Sequence, residues 1–163
     1  MDILAAQVGG ALKARGLKLA TAESCTGGGV AHAITDVAGS SAWFERGFIA
    51  YSNQAKQQML SVGEAALNQH GAVSEAVVRE MVAGALQHSG AQVALAVSGI
   101  AGPDGGTPDK PVGTVWFAWG IKNGEIRARR YQVRGDRAEV RAQAVHIALQ
   151  GVIDLLGSRT ETA

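Results

Sequence analysis

Apolar residues recur at intervals of three and four in three parts of the chain. Ile3, Leu4, Val8 and Leu12 predict a helix over residues 3–15, with Gly16 as its C-cap. Val77, Val78, Met81, Val82 and Ala85 predict another from Ser74 to about residue 88, with Ser74 at the N-cap and Glu75 in the first turn. Residues 138–156 form the last, with Asp136 as a cap. Between these helices the apolar residues gather into short runs that read as strands, over 17–22, 47–51, 93–97, 112–119 and 126–133. The run Val93-Ala94-Leu95-Ala96-Val97 is continuous, as in a central strand covered on both faces. Asn123-Gly124 between the last two runs is a hairpin signal. A helix over about 27–38 follows the first strand. A short one capped by Asn53 or Ser52 carries Lys56 and Met59.

The resulting order is helix, strand, helix, strand, helix, helix, strand, strand, strand, helix. It predicts a three-layer α/β/α domain around a mixed, mostly parallel five-stranded sheet. In such sheets ligands bind beyond the carboxyl ends of the parallel strands. The whole chain, 1–163, reads as one domain with a polar tail from about residue 157.

Composition narrows the partners. A net charge of +1 gives no reason to expect nucleic acid or a membrane surface. The densest basic run, Arg127-Ala128-Arg129-Arg130, divides between two faces of a strand and reads as a solvated edge. No apolar run is long enough to span a bilayer, and the amino terminus lacks the features of a signal peptide, so a cytoplasmic location is expected. Cys25 is the only cysteine, and no metal-ligand spacing occurs, so neither metal nor cofactor is expected.

The 22 glycines are the compositional outlier, and many sit in two turns that follow strands. The first is Thr21-Ala22-Glu23-Ser24-Cys25-Thr26-Gly27-Gly28-Gly29, between a strand and a helix. Such a turn binds a phosphate or stabilises an oxyanion beside a serine nucleophile. The second is Ser98-Gly99-Ile100-Ala101-Gly102-Pro103-Asp104-Gly105-Gly106, after the central strand, with all three prolines in or beside it. Neither turn has the spacing of a P-loop or of a dinucleotide fingerprint. Taken singly, Ser24 reads as a nucleophile or, more simply, as a cap or turn hydroxyl. Cys25 reads as a small buried hydrophobe, and Lys56 as a solvated helix lysine. Glu23 reads as an acid, a base or a helix-terminus partner. The four histidines form no triad signature. Trp43 and Phe44 read as core or as interface anchors, with core the simpler choice.

The runs AESCTGG, ITDVAGSSAWFERGFIAYSNQAK, HGAVSE and SGIAGPDGGTPDKPVGTVWFAW, in this order, resemble the CinA C-terminal domain family over about residues 5–155. With no domain ahead of them, they are similar to its stand-alone bacterial amidohydrolases. The resemblance implies hydrolysis of the carboxamide of nicotinamide mononucleotide (NMN) to nicotinic acid mononucleotide and ammonia, in a homo-oligomer acting on a small nucleotide. The family's serine falls on Ser24, its lysine on Lys56 and a tyrosine on Tyr51. An arginine is implied at Arg141, or at Arg137 as second choice. On this reading Ser24 attacks, Lys56 is the base, Tyr51 orients the lysine or relays its proton, and amides around Cys25, Thr26, Gly27 and Gly28 hold the oxyanion. Ser98, Gly99 and Gly102 form a backbone nest that binds the phosphate with the arginine. A non-catalytic nucleotide-binding regulatory module and an amidohydrolase for another small amide are the alternatives.

Overall fold

The computed structural model describes residues 2–162, with side chains from Ile3 to Gly157. It contains α1 (Asp2–Ala14), β1 (Leu19–Glu23), α2 (Gly29–Thr35), a 3-10 turn (Ser40–Ala42), β2 (Phe44–Ile49), α3 (Asn53–Leu60) and α4 (Glu64–His70). These are followed by α5 (Glu75–Gln87), β3 (Val93–Gly99), β4 (Thr114–Ile121), β5 (Ile126–Gln132) and α6 (Arg137–Thr162). The five strands lie in the order β2-β1-β3-β4-β5. β1 pairs parallel with β2 and β3, whereas β4 runs antiparallel to both β3 and β5. Four strands therefore share one direction and β4 alone opposes them.

The two faces of the sheet are filled differently, and the alternation along β3 shows why. Val93, Leu95 and Val97 face the layer that holds α1, α2 and α6, together with Leu19, Val115 and Phe117. Ala94 and Ala96 face the other layer with Ala20, Ala22 and Ala118, where α5 supplies Val77, Val78, Met81 and Val82. The alanine face admits α5 close to the sheet. Every residue of β1 is buried, as are six of the seven in β3, so both strands are covered on both sides.

The caps follow the sequence closely. Ser52 accepts from the Ala55 amide at 3.0 Å, and Ser74 from the Val77 amide at 3.3 Å. Asp136 accepts from the Glu139 amide while Glu139 Oε1 accepts from the Asp136 amide, both at 2.9 Å, a reciprocal capping box. Asn123 takes the left-handed conformation in the β4–β5 turn, with φ of 59°. β5 is the sheet edge, and Arg127 and Arg130 turn to Glu125 and to the Asp109 carbonyl.

Several boundaries differ from expectation. α4 has no counterpart in the expected order, and His70 is its last residue. Its seven residues bury only Leu67, too little to show a period. α2 begins at Gly29, because Gly27 and Gly28 hold left-handed φ values of 58° and 99°. β2 starts at Phe44 and ends before Tyr51, and α6 continues past residue 157 to Thr162. Trp43 is core. No helix among the described residues is long and apolar enough to cross a membrane.

α3 is docked on α5 at Gly84, where an added Cβ would lie 1.8 Å from the Leu60 carbonyl oxygen. Backbone cannot yield there as a side chain tip would. Gly84→Ala is expected to lose about 2–3 kcal/mol despite its better helix propensity. Thermal unfolding reads this as a midpoint lower by about 4–12 °C. An unchanged midpoint would mean that α3 is not held by this contact.

Candidate active site

β1 and β3 are adjacent and parallel, so the two glycine turns emerge at the same end of the sheet. The Ser24 amide donates to the Val97 carbonyl at 3.0 Å, continuing the β1–β3 ladder one residue past β1. The chain then turns sharply. Gly27 N–H donates to the Ser24 carbonyl at 3.1 Å and Gly29 N–H to the Thr26 carbonyl at 2.9 Å. The Cys25, Thr26 and Gly28 amides donate to no other residue among the described ones, which leaves them as the donors this turn can offer a ligand.

Lys56 reaches the turn from the first half of α3. Its Nζ donates to Ser24 Oγ at 2.9 Å and to the Tyr51 carbonyl at 2.8 Å. Ser24 Oγ in turn donates to the same carbonyl at 3.3 Å. A serine oxygen, a lysine nitrogen and one backbone carbonyl thus form a closed triangle. Lys56 is only 1% exposed. Burial lowers its pKa from 10.5 to about 8, with the neighbouring Cys25 opposing slightly. Among the described residues Lys56 forms no ion pair.

Tyr51 joins this triangle through its backbone. Its side chain is 61% exposed and stands at the rim of the cavity beside Ser24. The contact Tyr51 makes with Lys56 is through its carbonyl, not its phenol. Cys25 lines the same cavity, but its thiol is pushed up to about 11, chiefly by burial. A thiol so far from ionisation is a poor rival to Ser24 as nucleophile.

The cavity occupies about 270 Å³ and is bounded by Ser24, Lys56, Asn53, Val73, Ser98 and Arg137, among others. Ser98 and Gly99 complete β3 rather than opening a loop, and the Ile100 amide donates to the Thr114 carbonyl at 2.9 Å. Gly102 contributes its carbonyl, which accepts from Arg137 Nη1 at 2.9 Å. Arg141 stands behind the first turn. Its Nε donates to the Cys25 carbonyl at 3.0 Å and its Nη2 to the Thr26 carbonyl at 3.4 Å. The Thr26 hydroxyl donates to Glu23 at 2.6 Å, so it too is engaged within the turn.

The structure thus brings together Ser24, Lys56, Tyr51, Ser98, Gly99 and Arg137 around one cavity. It puts Thr26, Gly27 and Arg141 in the supporting wall. Asn53, Ala72 and Val73 were not foreseen as lining residues; the only sequence signal was their position at a helix start and in the HGAVSE run. A larger cavity of about 440 Å³ lies at the opposite edge, between β5 and α6. Its lining holds no nucleophile paired with a buried base, so the smaller cavity is the candidate active site.

Comparison with known proteins gives the chain its relatives. The CinA C-terminal domain matches residues 1–156. A nicotinamide-nucleotide amidohydrolase PncC of Escherichia coli K12 is 63% identical over 147 residues, covering 90% of this chain and 89% of the relative. The PncC of Pseudomonas putida is 54% identical over 152 residues, covering 93% and 94%. Among solved structures, a CinA superfamily protein from Klebsiella pneumoniae superposes with a TM-score of 0.92 at 44% identity, covering 96% of this chain and 98% of that one. The competence/damage inducible protein CihA from Agrobacterium tumefaciens gives 0.91 at 44% identity, with 94% of each chain covered. The chain belongs to the CinA C-terminal domain family.

Proposed function

We propose that this protein hydrolyses the carboxamide of NMN to nicotinic acid mononucleotide and ammonia, with Ser24 as nucleophile and Lys56 as base. The substrate assignment is supported by relatives named nicotinamide-nucleotide amidohydrolase at 54–63% identity over about nine-tenths of the chain. The observation that carries the chemistry is the 2.9 Å contact between Ser24 Oγ and a buried Lys56 Nζ. A lysine acts as base only when its amine is neutral, and burial moves its pKa into that range.

The steps follow from these positions. Ser24 Oγ attacks the carboxamide carbon, and its proton passes to the lone pair of neutral Lys56, whose own N–H remains on the Tyr51 carbonyl. The oxyanion that forms is met by amides of the first turn, those of Cys25, Thr26 and Gly28 being unoccupied. Lys56 returns the proton to the leaving nitrogen, the carbon–nitrogen bond breaks, and ammonia departs from an acyl-Ser24. Water then attacks the ester, delivering its proton to Lys56. The second intermediate collapses as Lys56 reprotonates Ser24 Oγ and the carboxylate product leaves.

The phosphate falls to Arg137. It lines the cavity, is exposed, and among the described residues has only the Gly102 carbonyl as partner. Its planar fork suits a phosphate dianion. Arg141 is already held by two carbonyls of the first turn and supports that turn instead. Ammonia release from NMN, nicotinamide riboside and nicotinamide tests the assignment, with strong preference for NMN expected. Equal rates on all three would remove the nucleotide. Arg137→Ala is expected to raise KM for NMN by about 10–100-fold with kcat changed far less, the size of a lost charged hydrogen bond. A KM unchanged in Arg137→Ala and raised in Arg141→Ala would exchange their roles.

A further inference from the structure

We propose that Glu23 is a positioning residue for this hydrolysis, its buried carboxylate fixing the turn that presents Ser24 and the oxyanion donors. This rests on the reading of Ser24 as nucleophile. Glu23 is the last residue of β1 and is only 1% exposed. An ionised carboxylate out of water is costly unless it is well hydrogen-bonded. No salt bridge compensates it among the described residues. Three donors do: Thr26 Oγ1 at 2.6 Å and the Val30 amide at 2.8 Å on Oε1, and the Ala31 amide at 3.1 Å on Oε2.

The identity of these donors gives Glu23 its role. α2 starts after Gly28, which has left-handed backbone and no side chain to cap the helix. A cap oxygen ordinarily accepts from the second or third helical residue. Here those residues are Val30 and Ala31, and the oxygens come from Glu23, on the strand. One carboxylate therefore closes the turn at its beginning and its end, while Thr26 ties its middle. Ser24 and the Thr26 and Gly28 amides all lie inside this closed segment. Glu23 does not line the cavity, so it acts on the reaction through the turn. Displacing a reacting group by about 1 Å can cost on the order of 100-fold in rate.

Glu23→Gln keeps the shape but exchanges one acceptor oxygen for an NH₂ donor, which then faces an α2 N–H, that of Val30 or of Ala31. The expected result is kcat for NMN lower by about 30-fold or more with KM within about threefold, as for a loss confined to the transition state. A second readout needs no substrate. An alkyl fluorophosphonate reacts with an activated serine: an O–P bond forms at Ser24 Oγ, fluoride leaves, and the serine proton passes to Lys56. The rate of Ser24 modification, followed by intact mass, should fall by about tenfold or more in Glu23→Gln. Thr26→Val should slow both reactions by a smaller factor, and Thr26→Ser should restore them. A purely structural role would lower the unfolding midpoint but leave kcat of the folded protein and the labelling rate unchanged. Folded Glu23→Gln with both rates within threefold of wild type overturns the proposal. If Glu23→Gln does not fold, Thr26→Val at the wild-type rate overturns it. Wild-type protein that neither releases ammonia from NMN nor is labelled at Ser24 overturns instead the reading on which the proposal rests.

Discussion

Ser24→Ala is expected to abolish ammonia release from NMN while leaving the fold intact. Removing a serine nucleophile costs on the order of 10³- to 10⁶-fold in kcat, the remainder coming from binding and oxyanion donors alone. Little is lost structurally, because Ser24 caps no helix: the N-cap of α2 is Gly28. The Ser24 backbone bond to Val97 does not depend on the side chain. The unfolding midpoint should therefore stay near that of wild type. Wild-type protein given NMN and quenched early should carry a nicotinoyl-nucleotide ester on Ser24, detectable by peptide mass, and Ser24→Ala should carry none. Rates within tenfold of wild type in Ser24→Ala would remove the nucleophile assignment. Loss of the ester with retained turnover would point to direct attack by water.

The helices with a full apolar period and the strands with continuous runs were legible in the sequence. α5 with Ser74 as its cap and β3 covered on both faces are examples. The candidate site was legible by resemblance and much less by local pattern. A serine before a helix reads as a cap; only the fold shows that Glu23 has that task and that the Ser24 hydroxyl is bonded to Lys56, 32 residues away. Lys56 alone reads as a solvated lysine. Its burial arises where α3 packs on α5 at Gly84 and meets the end of β1, contacts that no local period encodes. Tyr51 shows a further limit, since the sequence gives a ring and the structure uses a carbonyl. The resemblance ranks Arg141 ahead of Arg137, and nothing in the local sequence reverses that order. Four residues apart on α6, they diverge because Arg137 lines the cavity and Arg141 supports the turn behind it.

Lys56→Met should remove activity by about 10³-fold or more, because the proton from Ser24 then has no acceptor. Lys56→Arg should be equally inactive, since a guanidinium keeps its proton at any working pH. In wild type, kcat/KM for NMN should rise with pH and level off above about 8, the value to which burial lowers the Lys56 pKa. The sign follows from the neutral amine being the active form. The same displacement predicts that stability, too, rises with pH. Between about 8 and 10.5 the unfolded chain holds a proton on Lys56 that the folded chain has released. Wild-type stability therefore gains from Lys56 as pH climbs through that window, and the full cost of the buried charge is present below it. Lys56→Met, similar in length and uncharged, should be more stable than wild type near neutral pH by about 1–2 kcal/mol, and the difference should shrink towards pH 10. A variant that is inactive yet more stable identifies Lys56 as a residue kept for chemistry at the expense of the fold. A Lys56→Met protein with more than a tenth of wild-type kcat, or a wild-type profile flat from about pH 6.5 to 9.5, would transfer the role of base to another group.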